Sequence, residues 1–166
     1  MSWLIRTSQV KLYHPATTSK IIQSQSKLYH GSRKKFPDGF ILTPQSDGYV
    51  TQQRDFEVVF EKYRPENILS RFESVFMVDD YSMIDYAGGY DDHIYLVEPV
   101  GQIYKSDLAW YTEFESFWLG ENPEDGDMER TCATSYWNGV PYKNPENSLW
   151  EYRARSAKIV MEVELE

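Results

Sequence analysis

Short β-rich runs separated by turn-forming residues occur along much of this chain and limit the folds that it can adopt. Their branched and aromatic side chains pack well on the pleated surface of a sheet. Turn-forming residues at 31–32 and 98–99 are expected to end the first and third of these runs. The runs predicted as strands are 27–30, 74–78, 93–97, 149–153 and 157–163.

Helical patterns lie mostly in the middle of the chain. Apolar residues over 54–63 approximate one face of a helix, and the aromatic segment 108–118 has a similar pattern. The acidic pair at 79–80 is suited to cap a short helix over 81–86, whereas the acidic segment 120–129 is expected to be a loop. Because short strands dominate and are not alternated with helices, the pattern predicts an α+β fold with a mixed or antiparallel sheet.

The length of the chain indicates one domain. A chain of 166 residues is long enough to bury roughly 70% of the surface that it exposes when unfolded. The composition is 41% hydrophobic and 16% aromatic, which argues against intrinsic disorder. We therefore expect a single domain over 1–166, in which the polar, Ser/Thr/Gln-rich residues 1–25 form an N-terminal arm.

The charge of the chain limits its partners. A net charge of −9 repels a phosphate backbone, so binding to extended duplex nucleic acid is unlikely, although 33–35 is a short basic patch, Arg-Lys-Lys. No stretch approaches the ~20 apolar residues of a membrane span, and residues 1–6 do not resemble a secretory signal. The sequence predicts a cytoplasmic protein that does not enter a membrane.

The cysteine and histidine content disfavours several kinds of site. The single cysteine, Cys132, excludes an internal disulfide framework and a zinc site with several cysteines. The three histidines, at 14, 30 and 93, are too scattered to indicate a metal site by their spacing. The common dinucleotide, triphosphate, zinc-protease and serine-hydrolase motifs are absent.

The tetrapeptide Lys-Leu-Tyr-His occurs twice, at 11–14 and 27–30, and only the second copy continues into Gly-Ser. Glycine permits close approach of a ligand to the backbone, whereas Pro15, which follows the first copy, has no N–H group. His30 is therefore the candidate ligand-binding histidine, and His14 is interpreted as a surface or packing residue.

Four short motifs follow one another along the chain. They are YHGS at 29–32, LTP at 42–44, IYLVEPVG at 94–101 followed by an acidic residue, and YRARSAKIVMEVE at 152–164. In this order they resemble the ADP-ribosyltransferase superfamily, and most closely its small bacterial rifamycin-modifying members. The resemblance covers residues from about 27 to the C-terminus. It implies split sheets around a cleft that binds NAD, the co-substrate, and transfers ADP-ribose to a nucleophile with release of nicotinamide.

The resemblance assigns the first motif to the cofactor. It implies that His30 hydrogen-bonds the ribose hydroxyls and that the backbone of Gly31 holds the nicotinamide carboxamide, with Ser32 beside it. A strand-end histidine whose ring is satisfied by the backbone is the competing interpretation of His30.

The family usually has a tyrosine that stacks on nicotinamide, and the best-aligned position here is Phe76. A phenyl ring stacks equally well but lacks the hydroxyl, which Tyr81 or Tyr86 is expected to supply. The competing interpretation is that Phe76 is a core residue.

The family also requires an acidic residue, for which the chain offers Asp107 and Glu151. Asp107 follows the third motif, and Glu151 precedes a tyrosine at the start of a late strand. A carboxylate stabilises the oxocarbenium character that develops when the bond to nicotinamide breaks, and it can activate the nucleophile. Glu151 is slightly preferred, and a surface carboxylate is the competing interpretation of each.

The leading hypothesis is NAD-dependent transfer of ADP-ribose to an unidentified acceptor, a protein or a small molecule. A module on the same fold that binds NAD, ADP-ribose or a protein without catalysis is the alternative. A third hypothesis, which the net charge of −9 motivates, is an acidic protein that blocks a basic, nucleic-acid-binding partner.

Overall fold

The computed structural model describes residues 26–46, 55–87, 89–120 and 126–164, so the predicted arm over 1–25 lies outside the described residues. The strands in this part of the chain form one sheet in the order β2-β7-β4-β1-β3-β6-β5, with every neighbouring pair antiparallel. The strands are β1 (Leu28–Ser32), β2 (Ile41–Leu42), β3 (Val75–Val78), β4 (His93–Val100), β5 (Tyr104–Asp107), β6 (Trp150–Ala154) and β7 (Ser156–Glu162).

Three α-helices accompany the sheet in the described residues, which confirms the α+β class and an antiparallel sheet. They are α1 (Asp55–Glu61), α2 (Leu108–Leu119) and α3 (Gly126–Trp137), and short 3₁₀ turns cover Arg71–Glu73, Tyr81–Met83 and Pro145–Asn147. The predicted cap is also present, because the carboxylate of Asp80 accepts a hydrogen bond from the N–H of Ser82.

Helix α3 begins inside the segment predicted as an acidic loop, so that prediction is wrong from residue 126 onward. The helix is polar at its start, and its buried face carries Cys132, Ala133, Tyr136 and Trp137. These residues are spaced as one helical face, but two of them are small, and the acidic composition masked the periodicity.

Two predicted strand ends are also wrong. Strand β1 continues through Gly31 and Ser32, which pair with Ile94 and His93 of β4. Strand β4 continues to Val100, beyond the proline that was expected to end it. In both cases pairing with an antiparallel neighbour outweighs the local preference of Gly and Pro for turns.

Three apolar clusters are present in the described residues, of which the smallest holds Val78, Ile84 and Ile94. The first lies on the face that carries Leu28, Met77 and Val97 and collects side chains from six strands, β5 excepted. The second lies between the helices and is built around Phe60, whose ring contacts those of Phe114 and Tyr136 at 4.9 Å between centroids. None of the helices in the described ranges is long and apolar enough to cross a membrane.

Candidate ligand-binding cleft at the junction of strands β1 and β3

The ladder between β1 and β3 is short and positions the candidate site. It holds a single pair, Tyr29 with Val78, whereas β1 forms five pairs with β4. Continuing the antiparallel register would place Gly31 opposite Phe76. The strands separate there instead, and a narrow, open cleft with a cavity volume of about 50 Å³ lies between them.

The cleft brings together three of the residues predicted to bind the cofactor, His30, Gly31 and Phe76. Its remaining walls come from β3, from the segment after the 3₁₀ turn Tyr81–Met83, and from the loop that follows β2. These other lining residues are Tyr29, Thr43, Pro44, Ser74, Val75, Met77, Val78, Ile84, Ala87, Gly89 and Tyr90.

Gly31 is sterically required at its position. A Cβ atom built there would overlap with the carbonyl oxygen of Tyr90 and with Cγ2 of Ile84. The first of these atoms belongs to the backbone, which cannot move aside as a flexible side chain does. The absence of a side chain at Gly31 therefore allows the segment around Tyr90 to approach β1 and form one wall of the cleft.

The ring of His30 bridges the opening between the strands. Its Nδ1 atom lies 2.8 Å from the carbonyl oxygen of Phe76. Because a carbonyl oxygen only accepts hydrogen bonds, Nδ1 is the donor, and Nε2 of the neutral ring is then an acceptor. The contact that the competing interpretation expected, a histidine bonded to backbone, is present, and it is located in the cleft.

The half-buried ring of Phe76 lies between the cleft and a buried arginine. The guanidinium carbon of Arg71 is 4.8 Å from the centroid of the ring. Phe76 pairs with Arg153 of β6, and residues directly opposite in a ladder share one face of the sheet. The ring of Phe76 therefore lines the cleft on one side and, on the other, lies against a layer of buried charged side chains beneath the helices.

Glu151 lies in that charged layer and is fully buried. Its Oε1 atom is 2.7 Å from Nη1 of Arg71 and also accepts a hydrogen bond from the hydroxyl of Tyr136. Its Oε2 atom has no hydrogen-bond partner among the described residues. Glu151 does not line the cleft, although Val78, its partner in the β3–β6 ladder, does.

Two further charged residues complete this layer. Arg153 is fully buried between the rings of Tyr136 and Trp137 and donates to the backbone oxygen of Leu69 at 2.8 Å. Glu57 of α1 lies 3.6 Å from Nε of Arg71. Two carboxylates and two guanidinium groups thus face one another beneath β6. We call Glu57, Arg71, Glu151 and Arg153 the charged cluster.

Burial and neighbouring charges determine the protonation states of Arg71 and of two nearby phenols, those of Tyr136 and Tyr111. Burial lowers the pKa of Arg71, but the nearby Glu151, these two phenols and Glu57 outweigh this effect and raise the pKa well above its ordinary value. Burial raises the pKa of Tyr136 and of Tyr111 well above the ordinary range. Arg71 is therefore charged and both phenols are neutral at physiological pH.

Asp107, the second predicted acid, is also fully buried and caps helix α2. Its Oδ1 accepts hydrogen bonds from the N–H groups of Ala109 at 3.0 Å and Leu149 at 3.3 Å, and its Oδ2 accepts one from Tyr142 at 2.9 Å. The carboxylate is thus held by three backbone donors and does not line the cleft.

The other predicted cofactor residues lie outside the cleft lining. Ser32 is fully buried, and its hydroxyl accepts a hydrogen bond from the N–H of Lys34 at 2.9 Å. The exposed ring of Tyr81 meets Tyr29 edge-on at 5.6 Å. Tyr86 is 70% exposed and borders a separate cavity near the start of β6.

Sequence reasoning missed Arg71 and the charged cluster to which it belongs. A buried arginine has no sequence signature, because its burial depends on partners that are distant in the chain, here up to 80 residues away at Glu151. Within the described residues, no group of His, Cys, Asp or Glu is arranged to hold a metal ion. Comparison with models of protein families, with curated proteins and with solved structures found no significant match for this chain.

Proposed function

We propose that this protein binds NAD in the cleft between β1 and β3 and transfers ADP-ribose to an acceptor, a protein or a small molecule, with release of nicotinamide. The observation that carries the proposal is the opening of the sheet where Gly31 and Phe76 would otherwise pair. Gly31 and Phe76, the two residues that the resemblance assigns to nicotinamide, thus lie on the two strands that border the cleft, and His30 lies beside them.

The chemistry of these three residues suits a flat amide on a ribose. The edge of the Gly31 backbone that faces β3 is not paired in the described ladder between these strands, and the ring of Phe76 offers a face for stacking. The imidazole of His30 is oriented by its bond to Phe76 and is the group proposed to bind ribose hydroxyls.

Transfer also needs negative charge near the ribose, because cleavage of the bond to nicotinamide builds up positive charge there. Glu151 is the proposed carboxylate, since its ion-pair partner Arg71 lies over the ring of Phe76 and its ladder partner Val78 lines the cleft. Asp107 is the weaker candidate, because its oxygen atoms already accept three backbone hydrogen bonds.

Nicotinamide release is the test of this proposal. The protein is incubated with NAD labelled in the adenosine part and with a cell lysate, and both free nicotinamide and labelled products are measured. We expect release by the wild type and at least a tenfold loss, roughly the effect of one well-placed polar group, in His30→Ala. Absence of release and of label transfer, with the wild type and His30→Ala indistinguishable, would refute the proposal.

A non-catalytic NAD- or ADP-ribose-binding module is the second candidate function. It is favoured by the composition of the cleft, because no Asp or Glu is among the described residues that line it. Calorimetric titration separates the two functions. Binding of NAD without nicotinamide release supports the module. If neither NAD nor ADP-ribose binds, both candidate functions are excluded.

A further inference from the structure

Three consecutive cations, at 33–35, directly follow β1, the strand whose residues 29–31 line the cleft. All three side chains are exposed. In a chain with a net charge of −9, such a run is a local concentration of positive charge next to the cleft.

Arg33 is held against one wall of the cleft. Its guanidinium carbon lies 3.8 Å from the centroid of the ring of Tyr90, which lines the cleft. A guanidinium group that stacks on an aromatic ring keeps its N–H donors at its edges, where they can meet the oxygen atoms of a phosphate group.

Lys34 is held on the wall formed by the loop after β2. Its Nζ donates a hydrogen bond to the backbone oxygen of Ser46 at 3.2 Å. The hydroxyl of Ser46 in turn accepts a hydrogen bond from the N–H of Thr43, which lines the cleft. Lys35 differs from its two neighbours, because its Nζ pairs with Glu162 at 3.2 Å.

We infer that Arg33 and Lys34 form a subsite for the diphosphate group of the ligand that occupies the cleft. The inference rests on the proposed function for the identity of that ligand, since NAD carries a diphosphate one ribose away from its nicotinamide ring. Gly31 and Arg33 are two residues apart, about 7 Å along an extended chain. The subsite therefore lies within reach of a ligand whose ring sits at Gly31.

The test titrates the full chain with NAD, inorganic pyrophosphate and nicotinamide, the last of which has no phosphate. The test variant is the double substitution Arg33→Gln/Lys34→Gln. The control is Lys62→Gln, which removes an exposed cation outside the cleft lining. We expect the double variant to bind NAD and pyrophosphate about tenfold or more weakly, with no change for nicotinamide and none in Lys62→Gln. Added salt should reduce the difference.

Other outcomes separate this inference from the proposed function. Equal binding of NAD by the wild type and the double variant would overturn the subsite and leave the proposed function standing. If the wild type binds pyrophosphate but not NAD, and the double variant no longer binds pyrophosphate, the subsite is supported and the proposed function is refuted. If neither NAD nor pyrophosphate binds the wild type, both are overturned.

Discussion

Nη1 of Arg71 lies 2.7 Å from Oε1 of Glu151 in a layer where both side chains are nearly or fully buried. The same guanidinium group lies over the ring of Phe76, which lines the cleft. This ion pair therefore connects strand β6 to the proposed binding site, and the charge of each partner depends on the other because neither is solvated.

Loss of the Glu151 charge should destabilise the fold. Glu151→Gln leaves Arg71 and Arg153 with one carboxylate, Glu57, and breaking a buried pair costs about 3 kcal/mol or more of unfolding free energy. Glu73→Gln, which removes an exposed pair with Arg155, is the matched control and should cost less than about 1 kcal/mol. Urea denaturation measures both, and equal stability of the two variants would contradict a structural role for the pair.

A methyl group at Gly31 should disturb both the fold and the cleft. Gly31→Ala forces a Cβ into the backbone of Tyr90, and overpacking of this kind typically costs about 1–3 kcal/mol. Gly101→Ala is the control, because its Cβ would meet no atom and only its positive φ of 85° is strained, at about 1 kcal/mol.

Urea denaturation and NAD titration together distinguish the two glycine variants. Gly31→Ala should lose stability and NAD binding, whereas Gly101→Ala should keep NAD binding. A Gly31→Ala protein that is as stable as the wild type and binds NAD equally would contradict the account of the cleft wall.

An aromatic ring at position 76 should be needed for NAD binding, but it should matter little whether that ring belongs to Phe or to Tyr. Phe76→Tyr keeps a stacking face, whereas Phe76→Leu removes it, which should weaken binding about tenfold. Phe72→Leu, in the 3₁₀ turn and outside the cleft lining, is the control. Titration calorimetry measures the three affinities, and equal binding by Phe76→Leu and Phe72→Leu would exclude stacking on Phe76.

Glu162 should make the stability of the protein depend on pH. Its hydrogen bonds with His93 and Lys35 hold its pKa below the ordinary value of 4.5. A carboxylate with a lowered pKa in the folded state stabilises the fold above its unfolded value and loses that contribution as the pH falls through the folded value. The wild type should therefore be more stable than Glu162→Gln at pH 7, and the two should converge well below pH 4.5.

Urea denaturation at pH 7 and at pH 3 checks this convergence. Glu98→Gln, which removes an exposed carboxylate from the neighbouring strand β4, is the control for a general loss of negative charge. A difference between wild type and Glu162→Gln that does not change with pH would contradict the assignment.

Local composition predicted much of the sheet. The β-branched or aromatic runs that became β3, β6 and β7 were recognised because their side chains suit a pleated, half-buried surface. Helix α3 was missed because its buried face includes the small residues Cys132 and Ala133, which give a weak periodic signal. The continuation of β1 through Gly31 was missed because it depends on pairing with β4, a tertiary effect.

The candidate site was predictable only in part. His30 and Gly31 were selected by the first motif and Phe76 by its aligned position in the resemblance, and all three line the cleft. The environments of Asp107 and Glu151 were not predictable, because a carboxylate that caps a helix or pairs with a buried arginine looks the same in sequence as an exposed one. Their burial depends on contacts between segments that are distant in the chain.

A crystal structure of the protein with bound NAD tests the proposed binding site. Nicotinamide should lie between β1 and β3, with its carboxamide at the backbone of Gly31, its ring on Phe76 and its ribose beside His30. Density for NAD at another location, or none in this cleft at a saturating concentration, would contradict it.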